Sequence, residues 1–257
     1  MVTIHSTALV HESAELGVDV TVGPFAIIHS GTQVGDGVVL AAHTHVHPGT
    51  TIGPRTRVHS GAVLGDEPQD LSFDRNLSTQ TVIGADCTLR ENVTIHRATQ
   101  VERATTVGDH CLLMVGAHVA HDCQVHDHVI LCNNALLGGH VEVRKQAFLS
   151  GNSVVHQFVR VGEGVMLSGI SGIGMDAPPY TMIAERSSIV GLNVVGLRRA
   201  GIASAARLAI KKLYKTLLAS VDPTERAAAL AEAPDLPEIG VIRDFYAAPS
   251  TRGFCTP

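Results

Sequence analysis

The stretch Ala117-His118-Val119-Ala120-His121-Asp122-Cys123 sets two histidines and a carboxylate close together. Imidazole, with an unperturbed pKa of about 6.5, is the side chain best suited to take a proton at neutral pH. A carboxylate on its second ring nitrogen fixes the tautomer and stabilises the imidazolium. No Ser or Cys nucleophile motif stands beside the group, so the chemistry expected is direct deprotonation of a substrate hydroxyl or amine. Leu137-Gly138-Gly139-His140 adds backbone N–H groups on residues without bulk, an oxyanion site for a tetrahedral intermediate. His140 and His156 extend the set: His118 to His140 is a step of 22, His121 to His140 of 19, and His140 to His156 of 16. Paired histidines on β scaffolds are also common as structural residues, so from the residues alone both readings stand.

What must position these groups is a repeat. From Ile4, every sixth residue through Leu64 is Ile, Leu or Val: Val10, Leu16, Val22, Ile28, Val34, Leu40, Val46, Ile52 and Val58 fill the interval. Two residues before each anchor stands a small or β-branched residue such as Ala8, Val20, Ala26, Thr32 or Thr44, and Gly often follows it. The register breaks over 66–81, which reads as a loop, and restarts at Ile83 to run to Ile173. Val101 keeps step but lies among polar residues, Thr99-Gln100-Val101-Glu102-Arg103, and reads as a loop residue. A hexad is one short strand and a turn. No hexad can bury its own apolar face, so hexads stack into a parallel β-helix, most naturally a three-sided prism with about 18 residues per coil. Each of the three histidine steps is close to one such coil. They return to nearly the same side of the prism, and the histidines can line one cleft.

The division expected is a β-helix over 1–190, with the 66–81 loop and a terminal extended linker, and a helical segment over 191–257. Ile210, Leu213, Tyr214 and Leu217 share one helical face, and Asp222-Pro223-Thr224-Glu225 reads as a cap opening a second helix. Ile239, Ile242 and Tyr246 suggest a third. Charge follows the division. Through residue 190 there are 10 Lys and Arg against 18 Asp and Glu; beyond it there are 9 against 6, and all 15 His precede residue 160. The basic stripe Arg207, Lys211 and Lys215 is either a solvated face or a dock for an acidic carrier protein.

Composition narrows the rest. The 257 residues include no Trp and only 4% aromatics, which suits a narrow repetitive β core. Cys87, Cys111 and Cys123 fall in the small-residue slot and read as packed hydrophobes, while Cys132 and Cys255 have no partner pattern for zinc, so no metal is expected. His5, His11, His29, His43, His45, His47 and His59 read as surface or stacking residues. There is no membrane span and no signal-like N-terminus, so a cytoplasmic protein without nucleic-acid partners is expected.

The runs Asn92-Val93-Thr94-Ile95-His96-Arg97, Ala117 to Cys123, Asn133-Asn134-Ala135, Gly139-His140-Val141, Val155-His156-Gln157-Phe158, Pro178-Pro179-Tyr180 and Ser250-Thr251-Arg252-Gly253 resemble the UDP-N-acetylglucosamine 3-O-acyltransferase family over essentially the whole chain. The resemblance implies a left-handed β-helix, an opening step of lipid A assembly, and a homotrimer with sites between neighbouring prisms. His121 would be the base that activates the sugar 3-hydroxyl, Asp122 its orienting group and Gly139 the oxyanion donor. Asp70, His118, His140, His156, Gln157, Asn193 and Arg199 would contact substrate; Met166 and Gly169 would line the acyl pocket, with Gly169 as the length ruler. The donor would be acyl carrier protein, carrying the acyl chain as a phosphopantetheine thioester, with no bound cofactor. Ser72 stands where the family usually has Lys, Val195 where it has Glu, Ala200 where a second Arg is common, and Ala184 to Ser188 is short. These departures leave a modified acceptor, such as a 3-amino sugar or another nucleotide, compatible. Two further readings are a γ-type carbonic anhydrase, for which His121 and His126 have suitable spacing, and a trimeric scaffold without turnover.

Overall fold

The computed structural model describes residues 1–220 and 222–257. Most strands are two residues long and end on the hexad anchor, as in Thr21–Val22, Ile27–Ile28 and Gln33–Val34. They assemble into three sheets of 11, 9 and 8 strands, the faces of a prism, parallel throughout except for the antiparallel pair Thr181–Ala184 and Ser188–Leu192 that ends the first. The first face starts at Thr3–Ile4, the second at Leu9–Val10 and the third at Glu15–Leu16. Each strand lies beside the one three hexads further on, as in Thr21↔Val39, Ile27↔His45 and Gln33↔Thr51, so three hexads make one coil.

The interior follows from that register. Val22, Ile28, Leu40, Val46, Ile52, Leu64 and their successors are fully buried in one continuous column. Each contributes roughly 1.5–3 kcal/mol of apolar burial. From Val20 on the slot residues are buried as well, and some of the threonines among them settle their hydroxyls on the local backbone: Thr32 Oγ1 donates to His29 O at 3.0 Å and Thr44 Oγ1 to Ala41 O at 2.9 Å. Cys123 occupies the same slot, its thiol donating to Gly138 O at 3.1 Å, and burial pushes its pKa up to about 12. It is a packing residue.

Two interruptions of the lattice leave from the same edge, between the second and third faces. The pairs Arg57↔Thr88 and Val63↔Thr94 are offset by 31 rather than 18, and the loop between Val63–Asp66 and Gln80–Ile83 carries the difference. Thr88↔Leu112 and Thr94↔His118 are offset by 24, an excess of six between Thr94–His96 and Ala104–Val107. The second insertion equals one hexad. That is why exposed Val101, sitting in it, keeps step with the anchors without being one.

Beyond the prism lie helices α1 (Val194–Arg199), α2 (Ser204–Leu217), α3 (Pro223–Glu232) and α4 (Pro237–Ala247). Asp222 caps α3 by accepting from Thr224 N at 2.7 Å. Ile210, Leu213, Tyr214 and Leu217 of α2 pack with Ile239 and Ile242 of α4 in a second core. Tyr214 donates to Pro179 O at 2.6 Å, tying this core to the last coil. The tail returns to bridge Asp176↔Phe254 and Ser188↔Thr256. No helix among the described residues is long and apolar enough to cross a membrane.

Candidate active site

The edge that carries both loops also carries the histidines. His118–Val119 and Leu136–Leu137 are strands of the second face, and Gln124–Val125 and Glu142–Val143 lie on the third; His121, Asp122, Gly139 and His140 form the corners between them. The coil register stacks His121, Gly139 and Gln157 in one column, and Asp122, His140 and Phe158 in the next. The latter three turn the corner at φ of 60°, 62° and 65°, a left-handed conformation that Asp and His adopt more readily than most residues. A Cβ on Gly139 would lie 2.5 Å from His121 Cε1, so only glycine lets the imidazole lie flat against the next coil.

His121 Nδ1 and Asp122 Oδ2 are 2.8 Å apart, with Asp122 almost fully buried and His121 slightly exposed. With its Nδ1–H donated to the carboxylate, His121 keeps Nε2 free to accept a proton. Asp122 is held from several sides: Thr99 Oγ1 donates to Oδ2 at 2.8 Å and Thr99 N to Oδ1 at 3.1 Å. Thr105 Oγ1 fixes its backbone, accepting from Asp122 N at 2.7 Å. Burial alone would raise the Asp122 pKa, but the hydrogen bonds from His121 and Thr99 and the neighbouring His140 bring it below the usual carboxylate value. It stays an anion beside the imidazole.

The other expected residues divide into two groups. His140 Nε2 lies 3.7 Å from Asp122 Oδ2, its ring edge-on to His121 and stacked on Phe158 at 4.4 Å. Burial, with His121 and Arg103 nearby, lowers its pKa against the pull of Asp122. His118 shares a 2.7 Å hydrogen bond with Thr94 Oγ1, and burial beside His96 and His121 pushes it down to about 4. Asp70 sits at the exposed tip of the first loop, within electrostatic reach of His121 and His140, and accepts from Ser72 N at 2.9 Å and Ser72 Oγ at 2.8 Å. His156 and Gln157 are exposed on the coil above; Gln157 O accepts from Arg252 Nε at 2.9 Å, bringing the C-terminal tail to this edge. Gly139 N–H donates to no backbone group among the described residues.

Met166, Asn193 and Arg199 lie elsewhere. With Ile130, Phe148 and Met182 they line a cavity of about 610 Å³ on the first face, opposite the edge that carries His121. Asn193 caps α1, accepting from Gly196 N at 2.8 Å and donating to Gly164 O at 2.9 Å, which leaves one amide hydrogen for a ligand. Arg199 is exposed. Gly169 follows Met166–Leu167 at an exposed corner, where a Cβ would meet nothing closer than Gly151 O at 3.4 Å. One chain therefore holds His121 and the cavity apart.

Thr99 and Phe158 are not legible as site residues. Thr99 belongs to an insertion whose contact with the next coil has no local sequence signature; the only hint was a polar hexad in an apolar series. Phe158 could have been found by moving one coil on from His140. The carbonic anhydrase spacing does not survive: His121 and His126 sit at opposite ends of the strand Gln124–Val125, and His126 faces Glu142 at 3.5 Å.

A family model described as UDP-N-acetylglucosamine O-acyltransferase, domain 2, matches residues 176–255, and the bacterial transferase hexapeptide model matches 31–66 and 104–139. The acyl-[acyl-carrier-protein]–UDP-N-acetylglucosamine O-acyltransferase of Brucella ovis is 39% identical over 258 aligned positions, covering 99% of this chain and 92% of the relative. Among solved structures, the UDP-N-acetylglucosamine acyltransferase of Francisella novicida superposes with a TM-score of 0.95 at 32% identity, covering 100% of this chain and 94% of that one. The Campylobacter jejuni enzyme of the same description gives 0.92 at 34%, covering 99% and 100%. The shared fold is the left-handed parallel β-helix with a C-terminal helical segment.

Proposed function

The chain belongs to the UDP-N-acetylglucosamine O-acyltransferase family and is an enzyme, and from that premise we propose how its residues perform the transfer. It moves an acyl chain from acyl carrier protein to the sugar 3-hydroxyl of UDP-N-acetylglucosamine. His121 Nε2 takes the hydroxyl proton as the oxygen attacks the thioester carbonyl. Gly139 N–H donates to the oxyanion of the tetrahedral intermediate. On collapse the imidazolium returns the proton to the departing phosphopantetheine thiolate, leaving ester and free thiol. Asp122 holds the tautomer throughout, and Thr99 holds Asp122. The observation that carries this reading is the 2.8 Å bond from His121 Nδ1 to a buried carboxylate, which leaves Nε2 as the nitrogen available to take a proton.

Asp70, His118, His140, His156 and Gln157 surround the base as the acceptor's contacts, while Met166, Gly169, Asn193 and Arg199 serve a neighbouring chain's base in a homotrimer. The outward residues of the faces support that assembly. On the first face the upper coils present Leu112, Ile130, Phe148 and Met166, and on the second Leu136 and Val154. On the third they present Thr106, Gln124, Glu142 and Arg160. The first face is apolar, as is the second between His118 and Gly172, and both are suited to packing against another prism; the third is polar. Residues 1–190 then form the catalytic wall, and 191–257 the segment that closes its end and supplies the nucleotide contacts. Val195 and Ala200 line the 610 Å³ cavity, where they leave more room than longer side chains would.

The test is acyl transfer followed by mass spectrometry, with UDP-N-acetylglucosamine or its 3-amino analogue offered against carrier proteins bearing chains of different length. The expected product is the 3-O-ester, with the preferred chain set at Gly169. Exclusive use of the 3-amino analogue would overturn the acceptor assignment.

A further inference from the structure

Below the site, on the second face, three histidines converge that the acyl-transfer chemistry does not use. His29 and His47 follow the anchors Ile28 and Val46, and His45 is the outward residue of the strand His45–Val46, so two successive coils supply them. Their rings lie 4.1–5.2 Å apart, and one ligating nitrogen from each falls within 4.8 Å of the other two. His29 Nε2 and His45 Nε2 face each other at 2.5 Å, closer than the roughly 2.9–3.0 Å of an ordinary hydrogen bond to nitrogen. At most one of two such nitrogens can carry a proton between them. His47 Nε2 is buried and has no hydrogen-bond partner, while its Nδ1 turns toward Asp66 Oδ1 at 3.7 Å.

Three rings so placed could hold a metal ion. We propose that His29, His45 and His47 form a site for a divalent first-row transition ion, Zn²⁺ being the best fit, with Asp66 as the outer carboxylate that orients His47. Three imidazoles with a fourth position left to solvent make a tetrahedral set for zinc, with Zn–N distances of about 2.0–2.1 Å. A metal there holds the nitrogens roughly 3.3 Å apart by tetrahedral geometry, which small rotations of the His29 and His45 rings provide. A carboxylate behind a ligating imidazole is the usual companion of such a site. The ion would staple two coils near the open N-terminal end, where the anchor Ile4 remains exposed. The site is separate from His121 and takes no part in the acyl transfer.

The test uses untagged, chelator-stripped full-length protein titrated with Zn²⁺ in competition with a chromogenic chelator, and with Co²⁺ read by its visible absorption. One ion per chain is expected, with tetrahedral Co²⁺ bands and a raised thermal midpoint. His45→Gln should weaken binding by at least about 100-fold and Asp66→Asn by about 10–100-fold. His45→Gln should keep the circular dichroism spectrum and the acyl-transfer rate. His121, Asp122 and His140 also bring three ligating atoms within 4.8 Å of one another, so His140→Gln is the control. It should bind Zn²⁺ as the unsubstituted protein does. No uptake at micromolar Zn²⁺, or binding that survives His45→Gln and is lost in His140→Gln, overturns the proposal.

Discussion

Replacing Asp122 with Asn changes one atom's hydrogen-bonding character at the most constrained point of the site. The carboxylate accepts from His121 Nδ1 at 2.8 Å, from Thr99 Oγ1 at 2.8 Å and from Thr99 N at 3.1 Å. An amide has one accepting atom and one donating group, so it cannot satisfy all three donors. With its oxygen toward His121, its NH₂ meets the Thr99 N–H, which cannot be redirected; a buried donor left this way costs about 1–3 kcal/mol. With its oxygen toward Thr99 N, its NH₂ faces His121 Nδ1. The imidazole resolves that conflict by moving its proton to Nε2. The second arrangement wins, and it places a hydrogen on the nitrogen that must accept one. Asp122→Asn should therefore lower kcat by about 10³–10⁴-fold, the scale of loss when a triad carboxylate becomes an amide and the tautomer is wrong. That corresponds to about 4–5.5 kcal/mol of barrier at 1.36 kcal/mol per decade. Loss of negative charge alone, with the tautomer intact, would cost only one or two decades. Steady-state transfer from acyl carrier protein, with the sugar nucleotide KM determined alongside, separates the two. A kcat within tenfold of the unsubstituted enzyme would refute the tautomer argument.

Thr99→Val keeps the shape and removes one donor to Asp122; about 1 kcal/mol, or roughly fivefold in kcat, should be lost with KM unchanged, and an unchanged kcat would show that Thr99 does not position the dyad. His118, held at about 4, makes stability depend on pH. The unfolded chain takes up a proton as pH falls through about 6.5 and the folded chain does not until about 4, so stability is lost across that window, by up to about 3 kcal/mol for this group. Denaturation midpoints at pH about 7.5 and about 5 should show the loss, and His118→Gln should reduce it; equal midpoints would contradict the burial of a neutral ring. Co-expressing His121→Ala with Arg199→Ala chains should restore roughly a quarter of activity if base and Arg199 meet across a subunit boundary. No recovery above the separate variants would place both in one chain's site.

The lattice was legible because its period is imposed by packing: every anchor must point inward, so the type of residue repeats with the coil. The dyad was legible because His121 and Asp122 are adjacent in the chain. Contacts between coils were harder to read. Steps of roughly one coil grouped His118 and His156 with the base, whereas the register sets His156 level with Ala120 and Gly138 and gives His140 to the Asp122 column. Thr99 was hidden by an insertion as long as a hexad, which left the period intact while changing what the hexad did. His29, His45 and His47 looked like isolated surface rings because their convergence depends on strands one coil apart lying side by side. Asn193 was expected at the nucleotide, yet most of its hydrogen-bonding capacity goes to capping α1 and to Gly164.

The most direct measurement is turnover of the His121→Ala enzyme with acyl carrier protein thioester and UDP-N-acetylglucosamine, beside its circular dichroism and oligomeric mass. A base contributes about 10²–10⁴-fold, and in the proposed mechanism His121 also returns the proton to the leaving thiolate, so the loss should reach the upper end of that range. Fold and assembly should be intact, since the ring lies in a surface corner rather than in the column. Activity retained within tenfold by a folded His121→Ala enzyme would contradict the assignment of the base.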